Sequence, residues 1–126
     1  MKHKIFRLIT ISMFWLTQVT YAQTKIGSKE ASHHVGDTLT VCGKLYSKKV
    51  IPSTGMVLLN LGGYYPNQDL TIVIKASTMK LFKQPVGKLF EPGQICVFGA
   101  VVAYKGKPEI IINNPQQIVR ERINSN

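Results

Sequence analysis

The chain has 126 residues, 44% hydrophobic, with 16 Lys+Arg against 6 Asp+Glu and a formal net charge of +10. That length holds one domain, and the hydrophobic share lies in the globular range rather than the disordered one. The charge balance points to acidic partners such as nucleic acid, anionic lipid or acidic polymers, with a merely soluble basic surface as the plain alternative.

Residues 1–22 have a basic start (Lys2, Lys4, Arg7), an apolar run over residues 8–16 and then Thr20-Tyr21-Ala22. That is the layout of a secretory signal peptide, and the run is shorter than the roughly 20 residues a bilayer span needs. The residue directly after the expected cut at Ala22 is Gln23 and not Cys, which argues against a lipid anchor. The Lys-rich start and small-residue cut suit bacterial export. The expectation is a periplasmic or secreted domain with no stable membrane anchor after cleavage. Residues 23–35 are polar with little periodicity and read as a flexible lead-in. They include His33-His34, but adjacent side chains on an extended chain point apart, so no metal site is expected there.

Residues 37–47 read as one long strand. Leu39, Val41 and Leu45 share a face with Gly43, and Thr40, Lys44 and Tyr46 alternate with them. The interior Gly marks a bulge or bend, which lets one strand serve two sheets. Residues 48–55 end in Pro52-Ser53-Thr54-Gly55 and read as a loop. Residues 56–61 are a short apolar strand, residues 62–69 a breaker-rich loop, and residues 70–75 a β-branched strand. A short helix over residues 77–83, capped by Ser77 and stopped by Pro85, turns Met79 and Phe82 inward, with Leu81 as a further inward candidate. Residues 94–104 form a fourth strand that echoes the first, with Cys96 and an interior Gly99. A hairpin loop over residues 105–108 leads to a fifth strand over residues 109–113. Asn114-Pro115-Gln116-Gln117 then opens a terminal helix holding Ile118, Val119 and Ile123 with Arg120 and Arg122. Residues 124–126 are a tail.

The order β-β-β-α-β-β, with kinked first and fourth strands, is that of an all-β, five-stranded Greek-key barrel of the oligonucleotide/oligosaccharide-binding (OB) type over residues 36–123, with one or two short helices. Closure removes edges that these hydrophobic strands would otherwise expose. An open five-stranded sandwich or roll accounts for the alternation but not for the two interior glycines. Val41-Cys42-Gly43-Lys44, Leu59-Asn60-Leu61-Gly62, Tyr65-Pro66-Asn67-Gln68-Asp69-Leu70-Thr71, Cys96-Val97-Phe98-Gly99 and Tyr104-Lys105-Gly106-Lys107-Pro108-Glu109-Ile110 together resemble bacterial exported OB-fold domains of the nucleic-acid-binding type. The resemblance implies a barrel with a nucleic-acid role and no defined catalytic residues.

In such barrels the ligand groove crosses the second and third strands between the first–second and fourth–fifth loops. Those loops here carry Lys48 and Lys49, and Lys105 and Lys107. Lys44, Tyr46, Lys75 and Tyr104 stand at strand ends, and Tyr64 or Tyr65 supplies a ring from a loop or else plugs a barrel end. Lysines for phosphates and flat rings for bases suit single-stranded nucleic acid. The outward positions Thr71, Val73 and Lys75 carry no ring, and the barrel strands carry no Arg, so the expected binding is weak, salt-sensitive and sequence-tolerant. Asn60 is open to ligand contact, whereas Asn67 is expected to tie down its own turn. The six acids are dispersed, with no carboxylate pair, nucleophile–base set or phosphate loop, so neither catalysis nor a cofactor is expected. The alternative is a cell-envelope module for a protein or small ligand, with a separate nuclease as another partner to consider.

Cys42 and Cys96 form an even count in an exported chain, which suggests a disulfide, with two buried thiols as the alternative. The first and fourth strands are antiparallel neighbours in an OB barrel, so the two can meet. A bridge closing about 54 residues contributes about 3–4 kcal/mol in the chain-entropy model.

Overall fold

The computed structural model describes residues 24–84, 90–91 and 93–120, with Trp15 and Thr17. The expected export leader, apart from Trp15 and Thr17, the stop at Pro85, and Arg122, Ile123 and the tail lie outside the described residues. The strands are β1 (Lys25–Gly27), β2 (Thr38–Ile51), β3 (Met56–Leu61), β4 (Leu70–Ile74), β5 (Gly93–Tyr104), β6 (Lys107–Ile112) and β7 (Ile118–Arg120). One helical turn, α1 (Ala76–Met79), follows β4.

Alternation dictates the core. Leu39, Val41 and Leu45 of β2, Val57, Leu59 and Leu61 of β3, and Ile72 and Ile74 of β4 are all buried, and they meet Ile95, Val97, Val101, Ile110 and Ile112 from the other wall. Each such side chain contributes about 1.5–3 kcal/mol relative to exposure. The ladder closes on itself. β2 pairs antiparallel with β3, β3 with β4, β6 with β5 and β5 with β2, while β4 and β6 run parallel. This is the expected OB barrel.

The long β2 serves both walls, as the sequence suggests, but it turns at another residue. Its pairing with β5 runs unbroken from Thr38 to Leu45, through Gly43. The register shift lies between Leu45 and Ser47 in the pairing with β3. Gly43 is needed for close approach instead: a Cβ there would sit 2.8 Å from the Ser28 side chain. Gly99 likewise makes room for Ile110, whose Cγ2 would be 2.7 Å from an added Cβ.

Ser28 belongs to a segment expected to be a polar, unstructured lead-in. It is instead built into the barrel. β1 lies parallel to β2 over Thr40–Cys42, and a 3-10 turn (Ser28–His33) sends Ala31 into the core at 0% exposure. Ser28 Oγ donates to Asp69 Oδ2 at 3.1 Å, and His34 pairs with Asp37 at 3.0 Å. Small residues at Ser28 and Ala31 carry no apolar periodicity, yet they suit a plug in a narrow barrel end.

Other boundaries move for reasons of pairing. β2 runs on to Ile51, because Lys48, Lys49 and Val50 find partners in Leu59, Leu58 and Val57. Lys48 and Lys49 are therefore strand residues, not loop residues. The fourth–fifth hairpin shrinks to Lys105-Gly106, both at positive φ (49° and 77°), the geometry a two-residue hairpin turn requires. α1 is one turn capped by the Lys75 backbone, with Ser77 inside it rather than before it. Leu81 is left 59% exposed rather than turned inward.

The terminal helix is only a 3-10 turn (Pro115–Gln117). Gln117 Oε1 accepts from the Asn113 and Asn114 N–H groups, and Gln117 Nε2 donates to the Phe98 carbonyl at 2.9 Å. That hydrogen bonding ties the chain to β5, so Ile118–Arg120 pair as β7 with Ile95–Val97. The β-branched pair Ile118-Val119 suits an edge strand better than a helix end.

Cys42 and Cys96 are direct register partners and form a disulfide, with Cα atoms 4.0 Å apart. It ties β2 to β5 across the seam that closes the barrel.

Candidate nucleic-acid interface

Register places one polar row across four strands. Ser47 pairs with Asn60, Asn60 with Thr71, and Thr71 with Glu109. Partners across a ladder face the same side, here outward, because their neighbours Leu59, Ile72 and Ile110 fill the core. Side chains join most of the row. Asn60 Nδ2 donates to Ser47 Oγ at 2.9 Å, and Thr71 Oγ1 donates to Asn60 Oδ1 at 3.3 Å. Gln68 Nε2, from the loop before β4, donates to Thr71 Oγ1 at 3.1 Å.

This row is the floor of a groove of about 610 Å³. Leu58 adds an apolar strip beside it. Tyr65 with Pro66 stands at one side, and Tyr104 at the other. Lys48 and Lys49 line the β2 edge, and Lys105 and Lys107 the hairpin edge. Lys105 Nζ lies 5.4 Å from the Tyr104 ring centroid, a cation–π contact that steadies both. Lys107 Nζ donates to the Pro66 carbonyl and so links the hairpin to the tyrosine loop.

Of the nine residues expected to bind nucleic acid, Lys48, Lys49, Tyr104, Lys105 and Lys107 line this groove. Lys44, Tyr46 and Tyr64 are brought together elsewhere. Lys44 Nζ lies 5.1 Å from the Tyr46 ring centroid, and Tyr46 and Tyr64 meet edge to face at 5.2 Å. Lys75 is exposed at the start of α1 and does not line the groove. Between the two loop tyrosines, Tyr65 reaches the groove and Tyr64 packs on Tyr46. Thr71 and Val73 point outward but are buried, at 6% and 9% exposure, between their neighbours in β3 and β6.

Ser47, Gln68 and Glu109 are groove residues to which the sequence reading gave no binding role; it placed Thr71 outward without a ring and left Asn60 open to ligand contact. For Asn60 and Thr71 the signal was a lone polar residue in an otherwise apolar strand, as in Met56-Val57-Leu58-Leu59-Asn60-Leu61. Only the register shows that these lone residues align.

Burial pushes the Glu109 carboxyl above its ordinary value. The folded protein therefore holds that proton to higher pH than the unfolded chain does. Its stability should fall as pH rises from the ordinary carboxylate value through the raised one. Glu109→Gln should flatten this dependence, leaving only the other acids to titrate in denaturant melts between about pH 4 and 7. Parallel curves for the two proteins would show that Glu109 is solvated as in the unfolded chain.

No family model matches the chain, and no curated protein matches it in sequence. Its fold does match solved structures. A Leishmania major Friedlin protein assigned as an aspartyl-tRNA synthetase superposes with a TM-score of 0.52 at 12% identity, over 87% of this chain. This chain spans 23% of that protein's length. The S. pombe Stn1-ten1 complex gives 0.50 at 17% identity, covering 71% of this chain and 67% of that one. An OBody (AM1L10) bound to hen egg-white lysozyme gives 0.46 at 16% identity, covering 72% and 84%. At these identities the likeness is one of architecture, and the pairing order of the strands makes this chain an OB-fold barrel.

Proposed function

We infer that the protein is a non-catalytic, exported binding protein whose groove takes single-stranded nucleic acid weakly and with little dependence on sequence. One observation carries this reading: a single groove joins four lysines on two opposite edges, two tyrosine rings and a hydrogen-bonding floor. The lysines suit phosphates, the rings suit base faces, and the floor suits base edges. The disulfide supports the exported setting, since such bonds persist in oxidising compartments.

The rings supply the test. Tyr65 and Tyr104 are 76% and 57% exposed, so truncating them disturbs little packing. Tyr65→Ala and Tyr104→Ala should each weaken binding of a labelled single-stranded oligonucleotide by about 1–3 kcal/mol, read by fluorescence anisotropy, with unchanged thermal midpoints. Tyr64→Ala serves as the control on the neighbouring residue. Equal affinity in all three variants would remove base stacking from the groove.

A further inference from the structure

The groove floor has hydrogen-bonding capacity that phosphate binding leaves unused. Its network runs one way, from Gln68 through Thr71 and Asn60 to Ser47. Gln68 Oε1 is left over as an acceptor, shielded from solvent and without a partner among the described residues. Beside it in register, Thr71 faces Glu109, a carboxylate within a lysine-rimmed groove. Both groups accept hydrogen bonds, and neither meets a donor in the network. Phosphate offers them nothing, because it also only accepts.

We propose that this floor selects a nucleobase presenting two adjacent hydrogen-bond donors, guanine among the natural bases, with Glu109 accepting from N1–H and the exocyclic N2–H₂ and Gln68 Oε1 accepting beside them. The proposal rests on the nucleic-acid reading of the groove and adds selectivity at one position to otherwise tolerant contacts. The choice of base follows from lone pairs. A carboxylate's two oxygens match two neighbouring donors. Adenine and cytosine set one amino donor beside a ring-nitrogen acceptor, and thymine or uracil sets one N–H between two carbonyls. In each case one carboxylate oxygen would face a lone pair. Tyr65 and Tyr104 flank the floor and can hold the base by its faces. The lysine edges offset the carboxylate's repulsion of the phosphates.

The test measures anisotropy of labelled thymidine decamers carrying one central guanine, inosine, adenine or cytosine, titrated with the full oxidised protein at neutral pH. The guanine probe should bind about tenfold more tightly than the adenine or cytosine probe, within the range for a bidentate base contact. Inosine lacks the exocyclic amine and should fall between. Glu109→Gln should erase the guanine preference, bringing the guanine, adenine and cytosine probes to equal affinity, because the amide offers one acceptor oxygen where the carboxylate offered two. Equal binding of all four probes, or a guanine preference that survives Glu109→Gln, overturns the base-selection proposal and leaves the nucleic-acid reading standing. Absence of binding by every probe overturns both.

Discussion

Reversing two charges on the groove's β2 edge, Lys48→Glu with Lys49→Glu, should abolish measurable binding of a single-stranded oligonucleotide at physiological salt. Both lysines are exposed on β2 and line the groove opposite the Lys105–Lys107 edge. If three or four phosphates are neutralised along it, the log–log salt slope should be about −2 to −3, at roughly −0.7 per contact for single strands. The wild-type protein should then lose about 20- to 50-fold in affinity between 50 and 200 mM salt. The double variant loses two attractive contacts and gains two repulsive ones. Neither residue contributes its side chain to the apolar core, so stability should hold. The same reversal at Lys44 and Lys75, which lie off the groove, should cost much less. Binding that ignores both salt and the Lys48/Lys49 reversal would mean that the ligand is not an acidic polymer lying in this groove, and a protein segment on an apolar surface would become the better account.

Removing the Cys42–Cys96 bridge should cost about 4 kcal/mol of folding stability, the loop-closure contribution for a link of this span. The sequence separation is 54. For a domain of about 100 residues that loss corresponds to a fall in thermal midpoint of roughly 15–30 °C. The comparison is Cys42→Ala/Cys96→Ala against the oxidised wild type, followed by circular dichroism. Reduced wild type should resemble the double variant. The site matters as much as the loop length, because the bridge spans β2 and β5, the pair whose ladder closes the barrel. A drop under about 5 °C would show that the unfolded chain gains little freedom when the link is lost, against the entropy model.

Much of the barrel could be read from period-2 patterning. Val57, Leu59 and Leu61 against Ile72 and Ile74 announce two buried faces, and these residues are core in the structure. The disulfide was legible for a related reason. Once the first and fourth strands are neighbours, equivalent positions in each can meet. The ends of elements were less legible, because partners set them. Lys48 to Ile51 look like a loop alone, yet β3 supplies a ladder for them. Ile118-Val119-Arg120 look like a helix after a capped start, yet Gln117 binds Phe98 and delivers them to the edge of β5.

The glycines show the same division. The interior Gly of β2 was expected to mark a bulge or bend, and the ladder with β5 instead runs straight through it. Gly43 admits Ser28, which is fifteen residues distant in the chain and has no apolar signature. The bend belongs to the Leu45–Ser47 shift.

Composition and alternation by themselves determined a basic, mostly β chain, its apolar core, its likeness in strand order to an OB barrel and the lysine pairs that rim it. Those are properties of residues a few places apart, where side-chain direction follows from backbone period alone. Tertiary structure alone decided which polar residues share the groove. Ser47, Asn60, Thr71 and Glu109 lie on four different strands, and only the inter-strand register sets them in one row. Register is a collective outcome of packing every apolar face at once, so a shift of one residue would have turned the whole row inward.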